Sequence, residues 1–136
     1  MTEKIQTIAI LGGTGDLGGG LARQWSRAGY QIYIGSRTID KGLAAASELL
    51  TEFPDLNVTG HDNISAAQLA DVVVLTVPFA HQLSTLESVK PALDGKVLID
   101  VTVPLVPPKV GTVQLPEAGS AAMQAQQYLG ESVSVV

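Results

Sequence analysis

Cysteine is absent from this chain of 136 residues, which excludes disulfides, thiolate metal sites and cysteine nucleophiles. Histidine occurs only at His61 and His81, too sparsely for an imidazole metal site, so no metal is expected. Aromatic residues make up 4% of the chain, and 8 basic residues face 13 acidic ones for a net charge of −5. A nucleic-acid partner usually demands a basic face and stacking rings, and neither is offered. Uninterrupted apolar runs such as Val72–Leu75 reach only four residues, far too short for a membrane span. Met1-Thr2-Glu3-Lys4 leads into a strand-like run without a signal-peptide pattern. The expectation is a cytoplasmic domain with no membrane or nucleic-acid partner.

What the chain does have is apolar bulk and glycine. Hydrophobic residues reach 46% against 15% charged, the balance of a packed protein. At this length one domain is expected. Glycine occurs 14 times, and Gly12, Gly13, Gly15, Gly18, Gly19 and Gly20 fall within one short stretch.

Hydrophobic periodicity divides the chain into alternating strands and helices. Ile5–Leu11 reads as a strand buried on both faces, and Leu17, Leu21, Trp25 and Ala28 mark one face of a helix stopped by Gly29. Gln31–Ile34 is a second strand ended by Gly35, and Ile39, Leu43, Ala46, Leu50 and Phe53 form a second amphipathic helix closed by Pro54. Asn57–Thr59 predicts a short third strand, Ser65–Leu69 a weak helix, and Val72–Val77 a β-branched fourth strand ended by Pro78. A helix carrying Phe79, Leu83, Leu86 and Val89, a strand over Lys96–Val101, a loop with Pro104, Pro107 and Pro108, a helix over Glu117–Leu129 and a strand over Ser132–Val136 complete the series. Such alternation implies right-handed crossovers and a parallel sheet. The fold class is therefore α/β, a doubly wound parallel sheet (Rossmann fold) with strand order 3-2-1-4-5-6. The chain stops within its last strand-like run, so residues 1–136 read as one domain of a longer architecture.

Gly13, Gly15 and Gly18 satisfy G-x-G-x-x-G immediately after the first strand and at the start of a helix. In that setting the first glycine permits a tight turn, the second lets the backbone approach a pyrophosphate, and the third lets helix pack on strand. A helix N-terminus also favours phosphate. Gly12, Gly15 and Gly18 read equally as G-x-x-G-x-x-G, which leaves other reductases of this fold open. The end of the second strand selects the nucleotide. An NAD-binding site usually carries an acid there for the ribose 2′-OH, whereas this chain has Gly35-Ser36-Arg37-Thr38 and no carboxylate before Asp40. Ser36 and Thr38 can donate hydrogen bonds to a 2′-phosphate, Arg37 can grip it with two N–H groups, and Lys41 adds charge one helical turn on. NADP is the expected cofactor; the alternative at these residues is that Ser36 caps the next helix and Arg37 is merely solvated.

Four blocks carry a family resemblance: Ile8–Gly18, Gly35-Ser36-Arg37, Thr76-Val77-Pro78-Phe79-Ala80-His81, and Asp100-Val101-Thr102-Val103-Pro104-Leu105. In this order they resemble the NADPH-dependent coenzyme F-420 reductases, which exchange a hydride between nicotinamide and a 5-deazaflavin. The resemblance implies that Thr14, Asp16, Leu17, Ser36 and Arg37 touch NADP, with Thr76, Val77 and Pro78 near the ribose and nicotinamide. It also implies a C-terminal domain after the sixth strand that completes the deazaflavin pocket. From the residues alone, the fourth strand brings its carboxyl end to the crevice where doubly wound sheets hold ligands, and Pro78 fixes the backbone there. His81 is either a half-exposed histidine at a helix start or a contact to the deazaflavin or the nicotinamide phosphate region. Hydride exchange between two redox rings needs positioning more than an acid–base side chain, so no catalytic residue is assigned.

Other chemistries find no support. Tyr30, Tyr33 and Tyr128 are followed four residues on by Ile34, Arg37 and Ser132, which excludes Tyr-x-x-x-Lys, and no G-x-S-x-G occurs. His61-Asp62-Asn63 reads as a turn, and Asp71 and Asp100 as residues that cap or orient loops. Three functions stay open at this stage: F-420 reduction, NADPH-dependent reduction of a flavin, ferric iron or a small imine or keto substrate, and non-catalytic dinucleotide sensing. The exposed last strand favours a homodimer or larger homo-oligomer. A chain ending at Val136 is expected to bind NADPH while reducing F-420 slowly or not at all.

Overall fold

The computed structural model describes residues 7–101 and 121–136. The expectations for Ile5, for the Pro104–Pro108 loop, for the Thr102–Leu105 block and for Glu117–Ser120 lie outside these residues. Six parallel strands form one sheet in the order β3-β2-β1-β4-β5-β6, the doubly wound topology predicted from the alternation. The strands are β1 (Thr7–Leu11), β2 (Gln31–Ser36), β3 (Val58–Asp62), β4 (Val72–Leu75), β5 (Val97–Asp100) and β6 (Ser134–Val135). The helices are α1 (Asp16–Arg27), α2 (Ile39–Glu52), α3 (Asn63–Leu69), α4 (Gln82–Val89) and α5 (Ala121–Leu129), with single 3₁₀ turns at Phe79–His81 and Lys90–Ala92. Among the described residues no helix is long and apolar enough to cross a membrane, and no group of three or more metal-ligating side chains occurs.

Two cores sandwich the sheet. Because side chains alternate across a strand, Ile8 and Ile10 of β1 join Ala22, Ile32, Ile34, Ala46, Val72 and Val74 beneath α1 and α2. Ala9 and Leu11 face the opposite way, packing with Ala66, Ala67, Val73, Leu75, Leu86, Leu98, Ala125 and Leu129 beneath α3, α4 and α5. Both faces of β1 and β4 are thus covered, which is why their sequences are nearly continuous apolar runs. On one flank the cover is bare backbone. A Cβ on Gly60 of β3 would overlap the Gly42 carbonyl of α2, and a Cβ on Gly42 would overlap the backbone of His61.

Several boundaries differ from expectation for local reasons. Strand β2 runs past Gly35 through Ser36, because Ser36 still pairs in register with Asp62 of β3. Strand β4 ends at Leu75, two residues early, since both the N–H and the hydroxyl of Thr76 turn back onto the Leu11 carbonyl (3.0 and 2.8 Å). His61-Asp62-Asn63 is not a free turn but the direct passage from β3 into α3. His61 packs edge-on against Tyr33 with ring centroids 5.5 Å apart, and its Nε2 meets Thr59 Oγ1 at 2.7 Å. Asp62 caps α3 by accepting the Ser65 N–H at 2.8 Å. At the far end of α3, Lys96 donates from Nζ to the carbonyls of Ala67 and Gln68. Partial burial holds its amine below the ordinary lysine value, with the Asp71 carboxylate opposing. Asp71 also accepts from the Thr7 hydroxyl at 2.9 Å, tying β1 to the start of β4.

The Asp62 cap makes stability pH-dependent. Its carboxyl lies below the usual value chiefly because the Ser65 backbone N–H, and then the Ser65 hydroxyl, favour the ionised form. A lowered folded-state pKa means a contribution complete above an ordinary carboxylate value of about 4 and lost as pH falls through the lower one. Asp62→Ala is expected to cost about 1 kcal/mol at neutral pH. Urea denaturation should show that difference at pH 7 and its disappearance in strong acid.

Candidate functional site

Parallel strands place all their carboxyl ends on one edge, so the residues after Leu11, Ser36, Asp62, Leu75 and Asp100 converge there. The loop between β1 and α1 is fixed by main chain. Gly12 and Gly13 both donate to the Gly35 carbonyl (3.0 and 3.1 Å), and Gly15 donates to Gly12 (3.2 Å). Gly12, rather than Gly13, makes the tight turn: its φ is +76°, in the region that favours glycine. Gly13 is required for closeness instead, since a Cβ there would lie 2.8 Å from Ile34 Cγ2. Gly18 is tighter still, with an added Cβ 2.7 Å from both the Gly13 Cα and the Thr76 hydroxyl.

Gly15 stands apart. It is the N-cap of α1, is exposed, and an added Cβ would meet only the Gly12 carbonyl at 3.7 Å. The protein itself does not require glycine at this position. The first intrahelical bond is Gly19 N–H to the Gly15 carbonyl at 2.8 Å, so the N–H groups of Asp16, Leu17 and Gly18 precede it and lack an intrahelical partner by construction. Together with the helix dipole they make the loop mouth a suitable anion seat. The exposed side chains of Asp16 and Leu17 border this mouth at the helix start.

Across the mouth lies a cleft of about 270 Å³, lined by Thr14, Gly15, Ser36, Arg37, Lys41, Thr76, Val77, Pro78 and His81 together with Gly12, Asn63 and Thr85. Nine sequence-predicted positions therefore meet in one place. Gly13 and Gly18 are buried beneath the loop, whereas Asp16, Leu17 and Thr38 are exposed at helix starts and do not line this cleft. An adjoining cleft of about 490 Å³ continues past Ser36, Arg37, Asp62 and Asn63 to Ser84, Thr85 and Ser88. Ser36 does not cap α2. That position belongs to Thr38, which makes no side-chain cap bond, and Ser36 is buried on the strand with its edge in both clefts.

Arg37 reaches across to the turn after β4, where its Nη2 lies 3.5 Å from His81 Nδ1. His81 therefore sits beside Arg37. Its backbone is held by a bond from its N–H to the Pro78 carbonyl (2.8 Å) and by the Ser84 hydroxyl on its own carbonyl (3.1 Å). The next residue, Gln82, is fully buried, donates to the Asp100 carboxylate and accepts from Gln124 Nε2 at 2.9 Å. This network roots the β4 turn against β5 and α5, and it is the orienting role expected of Asp100.

Sequence reading missed Asn63 and Thr85. Asn63 lines both clefts, and its Oδ1 is buried without a hydrogen-bond partner. A buried acceptor left unpaired is costly, and such an atom at a cleft wall is where a ligand donor or water fits. Its neighbour Asp62 caps a helix, so nothing local in the sequence marks Asn63 as a cleft residue.

A family model described as NADP oxidoreductase, coenzyme F-420-dependent, matches residues 7–104. The chain belongs to this family. The F-420-dependent NADP reductase of Methanothermobacter marburgensis is 52% identical over 100 residues, a match covering 72% of this chain and 45% of that protein. The F-420-dependent NADP reductase of Methanothermobacter thermautotrophicus is 44% identical over 133 residues, covering 93% and 57%. A crystal structure from Arthrobacter sp. FB24, described as an F-420-dependent NADP-reductase, superposes with a TM-score of 0.78 at 28% identity over 96% of this chain and 61% of that one. The chain thus spans about half the length of the relatives it matches.

The loop geometry predicts two opposite responses to one added methyl. Gly18→Ala must push α1 off the Gly13 backbone and is expected to cost about 1–3 kcal/mol, as overpacking does. Gly15→Ala, with open space, is expected to leave the urea midpoint within about 0.5 kcal/mol of the parent. Equal losses would show that the loop packs differently.

Proposed function

We propose that this F-420 reductase-family domain holds NADP(H) along the carboxyl edge of its sheet, and that the enzyme to which it belongs, a cytoplasmic homodimer, passes a hydride between NADPH and the 5-deazaflavin F-420. One observation carries the nucleotide assignment: Ser36, Arg37 and Lys41 line the same cleft as Thr14 and Gly15, and none of the described residues lining it is acidic. A carboxylate would grip a ribose 2′-OH and repel a 2′-phosphate. A serine hydroxyl, a guanidinium fork and an ammonium do the reverse.

In this reading the pyrophosphate sits over Gly15 against the N–H groups that open α1, with Asp16 and Leu17 contributing backbone rather than side chain. Lys41 lines the cleft with Ser36 and Arg37 on the 2′-phosphate side, and Thr38 is exposed next to them outside it. Thr76, Val77 and Pro78 lead along the cleft toward the second ribose and the nicotinamide, where Pro78 offers a rigid, donor-free wall. When bound, the nicotinamide supplies the hydride; the residues of this chain bind and orient it. The names borne by the relatives at 52% and 44% identity support F-420 as the second substrate. Self-association is supported by apolar side chains left exposed around α5 and β6: Met123, Tyr128 and Val136.

Losing one charge-assisted bond costs about 1.5–3 kcal/mol. Arg37→Ala is therefore expected to weaken NADPH about ten- to a hundredfold while leaving NADH nearly unchanged, measured by calorimetric titration. Equal losses for both nucleotides would remove the 2′-phosphate assignment. Gly15→Val should abolish binding of either nucleotide without altering the circular dichroism spectrum, because its methyls fill the pyrophosphate seat. For the acceptor, NADPH absorbance is followed with F-420, free flavin or ferric iron. Faster oxidation by flavin or iron than by F-420 would reject the deazaflavin.

A further inference from the structure

The Arg37–His81 contact joins two groups that do not tolerate each other when both are charged. Arg37 stays protonated at any ordinary pH. With Nη2 only 3.5 Å from Nδ1, the guanidinium N–H can donate only to an imidazole whose Nδ1 lone pair is free. A neutral His81 accepts from Arg37; an imidazolium is repelled by it. The charged and titratable groups lining the cleft are Arg37, from the loop after β2, Lys41, from α2, and His81 itself. Asp62, at the end of β3, lines the adjoining cleft with its carboxylate on the Ser65 N–H. Asp100 of β5 lies behind the buried Gln82, and Asp16, Asp40 and Glu87 are exposed and do not line the cleft. His81 thus lies beside Arg37 in a cleft that Lys41 also lines, its backbone held by the Pro78 carbonyl and the Ser84 hydroxyl.

We propose that His81 is a specificity-determining residue for the 2′-phosphate, accepting a proton as the nucleotide binds, so that NADP(H) and not NAD(H) binding is coupled to proton uptake. The proposal rests on the reading of the cleft given above and adds His81 to it. A phosphate dianion between Ser36, Arg37 and Lys41 reverses the sign of the local field, and the repelled imidazolium becomes a fourth donor. The proton comes from solvent. NAD(H), which lacks the phosphate, gives His81 nothing to pair with. Affinity for NADP(H) is then expected to rise about fivefold between roughly pH 8 and pH 6.5, the direction that proton uptake on binding requires.

The test is calorimetric titration of the full chain with NADP⁺ and with NAD⁺ near neutral pH, in buffers of different ionisation enthalpy, for the parent and for His81→Gln. A phosphate monoester also titrates near pH 6 and releases protons on meeting cations, so the readout is the difference between parent and variant. The exposed ring is no part of either core, which favours a folded variant. Should His81→Gln fail to fold, the pH titration of the His81 ring protons by NMR, with NADP⁺ and with NAD⁺, replaces it. The expected result is net uptake of roughly half a proton per site in the parent relative to His81→Gln with NADP⁺, no difference with NAD⁺, and loss of the fivefold pH effect in the variant. If NADP⁺ binds in an Arg37-dependent way and parent and variant exchange the same number of protons, His81 has no such role and the inference falls while the cofactor assignment stands. If Arg37→Ala weakens both nucleotides equally, the cofactor assignment falls and takes the inference with it.

Discussion

The Leu11 carbonyl accepts both the N–H and the hydroxyl of Thr76, and the Gly35 carbonyl accepts both Gly12 and Gly13. These four bonds tie the ends of β1, β2 and β4 to one another just where regular pairing stops. Each contributes on the order of 1 kcal/mol, but their geometric effect is larger than that figure. They fix where the glycine loop stands relative to the Pro78 turn, and so set the width of the cleft between them. Gly18 completes the arrangement, since α1 can lie against Gly13 and Thr76 only if it presents no side chain there. In a doubly wound sheet this is the crevice where the chain leaves to opposite sides, and here it is held open by main chain rather than by any large residue.

A second theme is the contrast between overall and local charge. The chain carries a net charge of −5, yet the cleft gathers Arg37 and Lys41 without an acidic neighbour among its described lining residues. The acids are employed elsewhere: Asp62 on a helix cap, Asp71 on Thr7, Glu52 on Arg23. Net charge speaks to solubility and nonspecific partners. It is silent on a site only a few residues wide, which is why composition offered no broad basic face while the Ser36-Arg37 block pointed to a phosphate.

Much of this organisation was legible in the order of residues. Period-2 and period-3.6 patterns located the strands and helices of the described chain, and the handedness of parallel crossovers left one simple strand order. The glycine loop and the Ser36-Arg37 block were legible because each is a short run of particular residue types directly after a strand. What escaped depends on contacts distant in sequence. Nothing near Gly12 marks it as the residue of positive φ rather than Gly13; the distinction comes from where Gly35 and Val77 stand. Strand β2 absorbs Ser36 because Asp62 is there to pair with it. Asn63 and Thr85 enter the clefts through the packing of α3 and α4, and His81 stands by Arg37 through a turn 44 residues away.

The bare contact between Gly42 and Gly60 has an evolutionary corollary. It seats α2 on β3 backbone to backbone, one residue after Lys41 and five after Arg37. The platform that presents those two cations is consequently insensitive to their identity: neither side chain holds it in place. Selection can exchange what the loop after β2 displays without redesigning what carries it. What that loop displays is a replaceable fitting on a fixed mount, while the mount itself can scarcely accept a methyl group.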